Sequence, residues 1–347
     1  MRGLENSNTP KEGLSIQAVN TSQSSSSQNK LRALLKKQKY QLYSKSVAVK
    51  KCLWTHKALR EEEMCYKATY GIQSHRCIQM TPVPTDLCSH QCLYCWRVEP
   101  QDIGIEPSNP IAVPIDLFDP PEVVFEGLLW CWKRIISGYK SYINIKRYQE
   151  AESPKHVALS LAGEPMLYPY LGELLNLIHT HGMTSFLVTN GTFPERLQQL
   201  IDDETFPTQL YITIPAPDEP TYRRTCRPLI RDGWKRLQQS LELVHSLDCR
   251  TVARLTLVKG INMKNSQAYA KLIDCMDPAF IEVKGAVHVG FAQKRIKKTA
   301  MPYFEDIITF TNELRRYLGD YKQISQKRAS LISILSNGKH PARIPGL

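Results

Sequence analysis

The chain has 347 residues, 42% of them hydrophobic, and a formal net charge of +12. That is enough apolar material for one large core or two modest ones. No apolar run approaches the ~18 residues that a membrane span needs, and the N-terminal stretch has no apolar centre of a secretory signal. These features exclude a helical membrane protein and lead us to expect a cytoplasmic location, where ten cysteines read as metal ligands or buried thiols rather than disulfides.

Residues 1–29 are polar and low in complexity, with a run from Ser24 to Ser27. They bury too little to offset ordering entropy, so a disordered tail is expected. A basic helix is predicted from about Lys30 to Tyr43. With the segment bearing Cys52, Cys65 and Cys77, it makes a unit over 30–77. No acidic residue lies between Gly13 and Arg60, yet there are ten basic ones from Lys30 to Arg60 inclusive. A second basic cluster, Lys294, Arg295, Lys297 and Lys298, follows far downstream. Two such concentrations point to a polyanionic partner, because lysine and arginine on phosphates release counterions. Nucleic acid is favoured over a membrane surface, since no helix with a broad apolar face stands out.

From residue 78 the pattern becomes alternation of short branched runs with segments of period 3.6. The strands are expected at Ile78–Pro82, Val157–Leu161, Ser185–Thr189, Leu210–Ile214, Ala253–Val258 and Phe280–Val283. Helices are expected at Pro120–Tyr139, Tyr170–His181, Asp232–Ser246 and Tyr269–Cys275, with Tyr303–Leu318 closing the series. Leu171, Leu174, Leu175 and Ile178 form the stripe that packs a helix on a sheet. Six β–α units in succession imply a parallel sheet with right-handed crossovers. The fold class is therefore α/β, a partial (β/α)6 TIM-like barrel over 78–347 with C-terminal helices and an N-terminal cysteine-bearing extension. Its chemistry should sit on the loops after the strands.

Cys88, Cys92 and Cys95 form C-x3-C-x2-C in the loop after the first predicted strand. Three thiolates can hold three corners of a 4Fe–4S cluster and leave the fourth iron open. A structural zinc would want four ligands, and His90, inside the motif, is cramped as a fourth. The motif, followed by Trp96 and Arg97 on a β/α barrel, resembles the radical S-adenosylmethionine (SAM) superfamily. There the open iron binds SAM, and its reductive cleavage yields a 5′-deoxyadenosyl radical; the cofactors supply the chemistry and the protein the orientation. Ala162-Gly163-Glu164-Pro165 resembles the GGEP loop of that superfamily, implying that Gly163 and Glu164 meet the SAM amino group. Thr189 and Asn190, in Thr189-Asn190-Gly191, stand where the superfamily touches the ribose and carboxylate.

The upstream cysteines Cys52, Cys65 and Cys77 carry a narrower resemblance, to the archaeal-type tRNA 4-demethylwyosine synthase family. It extends from Cys52 to about Leu318 through CIQMTPVPTDLCSHQCLYCWR, LSLAGEPMLYP, TNGTFPERL and, most peculiar to the family, IEVKGAVHVGFAQKR. The resemblance implies an auxiliary 4Fe–4S cluster on Cys52, Cys65 and Cys77, hence two clusters plus SAM. It implies a lyase acting on N1-methylguanosine 3′ to the anticodon of tRNA-Phe, with pyruvate as co-substrate and 4-demethylwyosine as product. Lys67 matches a family lysine associated with pyruvate. An amine beside anionic thiolates is expected to stay protonated, favouring a grip on the carboxylate over a Schiff base. The family pattern Y-x-S-x-D-A-P reads here as Tyr211, Thr213, Pro215, Ala216 and Pro217. Thr213 keeps a hydroxyl, while Pro215 brings neither a carboxylate nor an N–H. The flavodoxin domain that eukaryotic members fuse in front is not found, so a separate electron donor is expected.

Two other readings compete: a radical SAM enzyme with an auxiliary cluster acting on a non-RNA substrate, and a zinc-stabilised RNA-binding protein without catalysis. Cys131, Cys226, Cys249 and Cys275 read as buried thiols. Lys284 and His288, after the last predicted strand, are placed to face a cavity, the histidine more simply as a structural residue.

Overall fold

The computed structural model describes residues 21–347, the first eight of them by backbone alone. Helix α1 (Thr21–Lys37) belongs to a unit that ends at Gln38, separate from the body 39–347. It starts upstream of the predicted Lys30 and stops at Lys37. The remainder of the predicted helix is extended: Gln41–Tyr43 is a strand, β1, hairpinned to β2 (Val47–Val49). The expected tail over 1–29 lies, up to residue 20, outside the described residues. Among the described residues no helix is long and apolar enough to cross a membrane.

In the body, α2 (Leu53–Leu59) precedes β3 (Cys77–Thr81), then come α3 (Pro121–Ser137), α4 (Ile145–Glu152), β4 (His156–Leu159) and α5 (Leu171–Thr180). The alternation continues through β5 (Thr184–Thr189), α6 (Pro194–Asp202), β6 (Gln209–Thr213), α7 (Glu219–Cys226) and α8 (Gly233–Leu243). It ends with β7 (Arg250–Leu257), α9 (Ser266–Met276), β8 (Phe280–Gly285), α10 (Ala292–Arg295), α11 (Phe304–Arg315), β9 (Lys322–Lys327) and β10 (Ile332–Ser336).

Strands β3 to β8 are parallel neighbours in chain order, and each lies at a predicted position. The sheet runs β1-β2-β3-β4-β5-β6-β7-β8-β10-β9, an open barrel whose two ends are antiparallel pairs. The terminal pair corrects the expectation of helices alone after Tyr303. β9, KQISQK, is polar and largely exposed, so it carries no alternating apolar signal. Its lysines suit an edge that must not recruit another strand.

Apolar side chains fill two layers. One lies between sheet and helices, with Leu174, Ile178 and Leu237 fully buried. The other fills the barrel interior, with Tyr70, Phe186, Tyr211 and Phe280. The C-terminal pair also clasps the segment before β3. Lys327 Nζ donates to the Met64 carbonyl at 2.8 Å and pairs with Glu63 at 2.7 Å. Thr69 Oγ1 donates to Ser325 Oγ at 2.9 Å, and the Ile344 N–H donates to the Tyr70 carbonyl at 3.0 Å.

Candidate active site

Strand ends and loops on one side of the barrel enclose a cavity of about 660 Å³, lined by Cys52, Cys88, Cys92, Cys95, Gly163, Glu164, Thr189, Asn190 and Thr213 among others. Nine predicted site residues thus share one wall. Cys65, Cys77 and Lys67 are not among its lining residues.

The loop Cys88–Cys95 is pressed from both sides by glycines. Gly163 has φ +67°, and a Cβ there would sit 2.7 Å from the Leu87 carbonyl oxygen. Gly290 has φ +57° and would drive a Cβ into the Trp96 carbonyl oxygen. Only glycine permits both the backbone and the approach. Arg227 donates from Nε to the Gln91 carbonyl at 2.7 Å and from Nη2 to Glu99 at 3.0 Å. Arg295 is buried and pairs with Glu99 at 2.8 Å and Asp102 at 2.9 Å, while Nη2 donates to the carbonyls of Cys95 and Arg97. Arg295 was expected to face phosphate with its basic neighbours. Its charge is instead turned inward to hold this loop, and Lys294, Lys297 and Lys298 remain exposed.

Burial raises the Cys88 and Cys95 thiols, and a hydrogen bond with Cys226 together with burial raises Cys92. All ten cysteines are free thiols. Three half-buried thiols crowded on one loop are costly as bare thiolates, and a cationic iron core removes that cost, so the donor set fits a 4Fe–4S cluster. His90 does not complete a four-ligand set around them. Its Nε2 lies 2.6 Å from the Tyr222 hydroxyl, and its donor atom groups with Cys92 and Cys226 within 4.8 Å.

Glu164 is buried, and its oxygens accept from Thr189 Oγ1 at 2.7 Å, the Asn190 N–H at 2.8 Å and the Met166 N–H at 3.1 Å. Burial still holds its carboxyl up at about 7. Most of its acceptor capacity is therefore committed to joining the ends of β4 and β5. Asn190 Nδ2 donates to Ser89 Oγ at 2.8 Å and approaches Cys88 Sγ to 3.8 Å, which ties the same strand end to the cysteine loop. Thr213 ends β6 facing the cavity. Pro215 follows it and lines the same wall, its carbonyl accepting from Asn262 Nδ2 at 2.7 Å.

The second triad is assembled from three elements. Cys52 caps α2, its Sγ accepting from the Thr55 N–H at 3.3 Å. Cys65 precedes a short 3-10 turn, its N–H donating to Ser74 Oγ at 2.8 Å. Cys77 begins β3. The three lie within electrostatic reach of one another, and burial pushes Cys65 up to about 11 and Cys77 to about 12. This donor set fits a cluster for the same reason as the first.

Inward positions recur every second residue and build the floor of the cavity. Arg254 of β7 and Lys284 of β8 reach the wall. Glu282 is wholly buried beneath them, pairing with Arg254 at 2.8 Å and accepting from the Tyr66 and Tyr70 hydroxyls at 3.0 and 3.2 Å. Lys284 Nζ donates to the Ser330 carbonyl at 2.5 Å, and burial lowers its amine to about 8. Lys67 Nζ rests 4.6 Å from the Tyr211 ring centroid and 5.1 Å from that of Phe186, with no carboxylate partner among the described residues. Burial, aided by Arg254, lowers its amine below the ordinary lysine value despite Glu282, Cys77 and Cys65. Arg254 and Glu282 were absent from the sequence reading. The available signal was charge on the inward face of otherwise apolar strands, in ARLTL and IEVKG.

A model for the radical SAM superfamily matches residues 83–273, and one for wyosine base formation matches residues 276–337. Over 291 residues the chain is 44% identical to the S-adenosyl-L-methionine-dependent tRNA 4-demethylwyosine synthase of Pyrococcus abyssi, 83% of each chain being covered. It is 40% identical over 308 residues to that of Methanocaldococcus jannaschii, covering 88% of this chain and 94% of the other. The mouse protein of that name is 38% identical, and the match spans 89% of this chain and 42% of the mouse protein. Among solved structures, "Structure of TYW1 with a lysine-pyruvate adduct bound" superposes with a TM-score of 0.78 at 35% identity, covering 91% of this chain and 97% of that one. "Crystal structure of archaeal TYW1" superposes with a TM-score of 0.71 at 32% identity, covering 90% and 98%.

Proposed function

Because the chain belongs to the family of S-adenosyl-L-methionine-dependent tRNA 4-demethylwyosine synthases, radical SAM enzymes of the wyosine pathway, we propose that it converts N1-methylguanosine 3′ to the anticodon of tRNA-Phe, with pyruvate, to 4-demethylwyosine. Membership removes the reading as a non-catalytic zinc protein. Cys88, Cys92 and Cys95 would hold the cluster that binds SAM, and Cys52, Cys65 and Cys77 an auxiliary 4Fe–4S cluster. When bound, cluster and SAM supply a one-electron cleavage that yields the 5′-deoxyadenosyl radical. Glu164 keeps the strand ends that carry Gly163, Thr189 and Asn190 in register with the cysteine loop, and Thr213 adds a hydroxyl to the wall that receives SAM. The electron comes from a separate donor, and the reaction takes place in the cytoplasm, whose reducing conditions suit ten free thiols.

The observation that carries the pyruvate step is the place of Lys67: half-buried beside Cys65 and Cys77, over two aromatic faces, with no carboxylate in ion-pair contact among the described residues. In the sequence reading the neighbouring thiolates favoured a carboxylate grip. An amine lowered by burial without a direct ion pair among the described residues and the lysine–pyruvate adduct named for a 35% identical relative favour covalent capture. The Lys67 amine adds to the keto carbon and water leaves, giving an imine. Borohydride with labelled pyruvate should fix label on Lys67 in the wild type and on no peptide in Lys67→Arg. Label on a different lysine would overturn the assignment.

A further inference from the structure

We propose that Arg254 binds the carboxylate of pyruvate and thereby makes the site selective for a 2-oxo acid over a neutral ketone; this rests on capture of pyruvate by Lys67. Three features converge. First, the guanidinium is held by two of its nitrogens, and the third is spare. Nε and Nη2 both donate to Glu282 Oε2, at 3.0 and 2.8 Å, and Nη2 also meets the Tyr66 hydroxyl at 2.9 Å. Nη1 donates to nothing among the described residues, although Arg254 lines the cavity. An arginine fixed through Nε and Nη2 is a pre-organised donor, through Nη1, to a carboxylate oxygen in the cavity.

Second, Arg254 and Lys67 share a ring. The guanidinium carbon lies 4.5 Å from the Tyr211 centroid and the Lys67 amine 4.6 Å from it. The carboxylate and keto carbons of pyruvate are bonded to each other, so a carboxylate receptor must lie next to the capturing amine. Third, the floor carries excess positive charge. Arg254 and Lys284 are half-buried there with Lys67 half-buried beside them, and Glu282 is the one carboxylate in contact with any of the three among the described residues. Buried charge without compensation is unfavourable, and an anionic co-substrate supplies compensation that a neutral ketone does not.

Arg254 acts here by binding and selecting, so the test measures occupancy rather than turnover. In the reconstituted holoenzyme, borohydride capture on Lys67 is followed against concentration for pyruvate and for methyl pyruvate, which keeps the ketone and loses the charge. The variants are Arg254→Lys and the double variant Arg254→Gln with Glu282→Gln, which avoids stranding a buried carboxylate; iron content reports their folding. Loss of a charged hydrogen-bonded contact should raise half-saturation by pyruvate about ten- to hundredfold in the double variant. Half-saturation by methyl pyruvate should hardly move, so the preference collapses, and Arg254→Lys should fall between. Label on Lys67 with wild-type half-saturation by pyruvate in Arg254→Lys and in the double variant overturns the role of Arg254 and leaves the capture step standing. No label on Lys67 in the wild type overturns the capture step, and this inference with it.

Discussion

The two cysteine triads are built in opposite ways. Cys88, Cys92 and Cys95 share one loop, and that loop is locked by paired ions, Glu99 and Asp102 with Arg227 and Arg295, and by two glycines that let neighbouring backbone close on it. Cys52, Cys65 and Cys77 start three separate elements, and beside the closed pairs Lys327–Glu63 and Arg254–Glu282 the charges around them include Lys67 and Lys284, which have no carboxylate partner among the described residues. A site that must hold a large cofactor in one pose is rigidified by satisfied polar networks. A site that must receive a small anion keeps positive charge in reserve.

The sharpest way to break this comparison is to delete each triad. Anaerobically reconstituted wild type should hold about eight irons. The Cys88/Cys92/Cys95→Ala variant should keep roughly half of them by the same ligation count and lose all SAM cleavage. The Cys52/Cys65/Cys77→Ala variant should keep a similar share and lose the modified base while still releasing 5′-deoxyadenosine. A full iron complement in the latter would end the two-cluster assignment.

Next come the ions that lock the compact loop. Arg295→Met leaves Asp102 without an ion partner among the described residues and Glu99 with the part-exposed Arg227 alone, and should cost about 3–5 kcal/mol in denaturant unfolding. Arg227→Met leaves Glu99 with Arg295, and the Arg227 side chain is 36% exposed, so about 1 kcal/mol is expected. Equal losses would show that the loop is not locked from the Arg295 side.

Acid should tell the triads apart by a smaller margin. His156 pairs in register with Cys77, accepts from the Gln73 N–H at 3.3 Å, and is held down at about 4 by burial, with Arg76 adding to it. A histidine lowered from 6.5 stabilises the fold above about pH 6.5, and that contribution is lost as pH falls towards 4, up to about 3 kcal/mol in all. His156→Gln should flatten the unfolding free energy across that window. His90, beside the compact triad, is held at about 3 by burial, so its loss extends further into acid. The smallest effect concerns the surface. Neutralising Lys294, Lys297 and Lys298 should flatten the salt dependence of tRNA binding by up to about 2–3 log units per log unit; an unchanged slope would make them plain solvated charge.

Legibility follows locality. The six parallel strands were readable because each is a short apolar run with its own turn signals, and Cys88–Cys95 because its spacing is a local motif. The segments Gln41–Tyr43 and Lys322–Lys327 were missed because edge strands need no apolar face and take their structure from partners. Arg295 was misassigned because a basic cluster looks alike whether its members face solvent or turn to buried carboxylates. Glu282 and Arg254 lie in strands correctly placed, yet their partnership spans the sheet, and composition does not show which charges meet. Cys52, Cys65 and Cys77 came from family resemblance, since spacing that wide has no geometry of its own.

The clasp between β9 and the segment before β3 has a consequence for the order in which the protein is made. Met64 and Lys327 are 263 residues apart, which at ribosomal speed is a delay of roughly 13 to 50 s. Throughout that interval the stretch holding Cys65 and Lys67 has been synthesised without the lysine, serine and backbone groups that later fasten it. The loop Cys88–Cys95 acquires its last lock when Arg295 emerges, before β9 exists. The order of synthesis thus completes the locks on the Cys88–Cys95 loop first and leaves the segment bearing Cys65 and Lys67 unfastened until the C-terminal strands arrive.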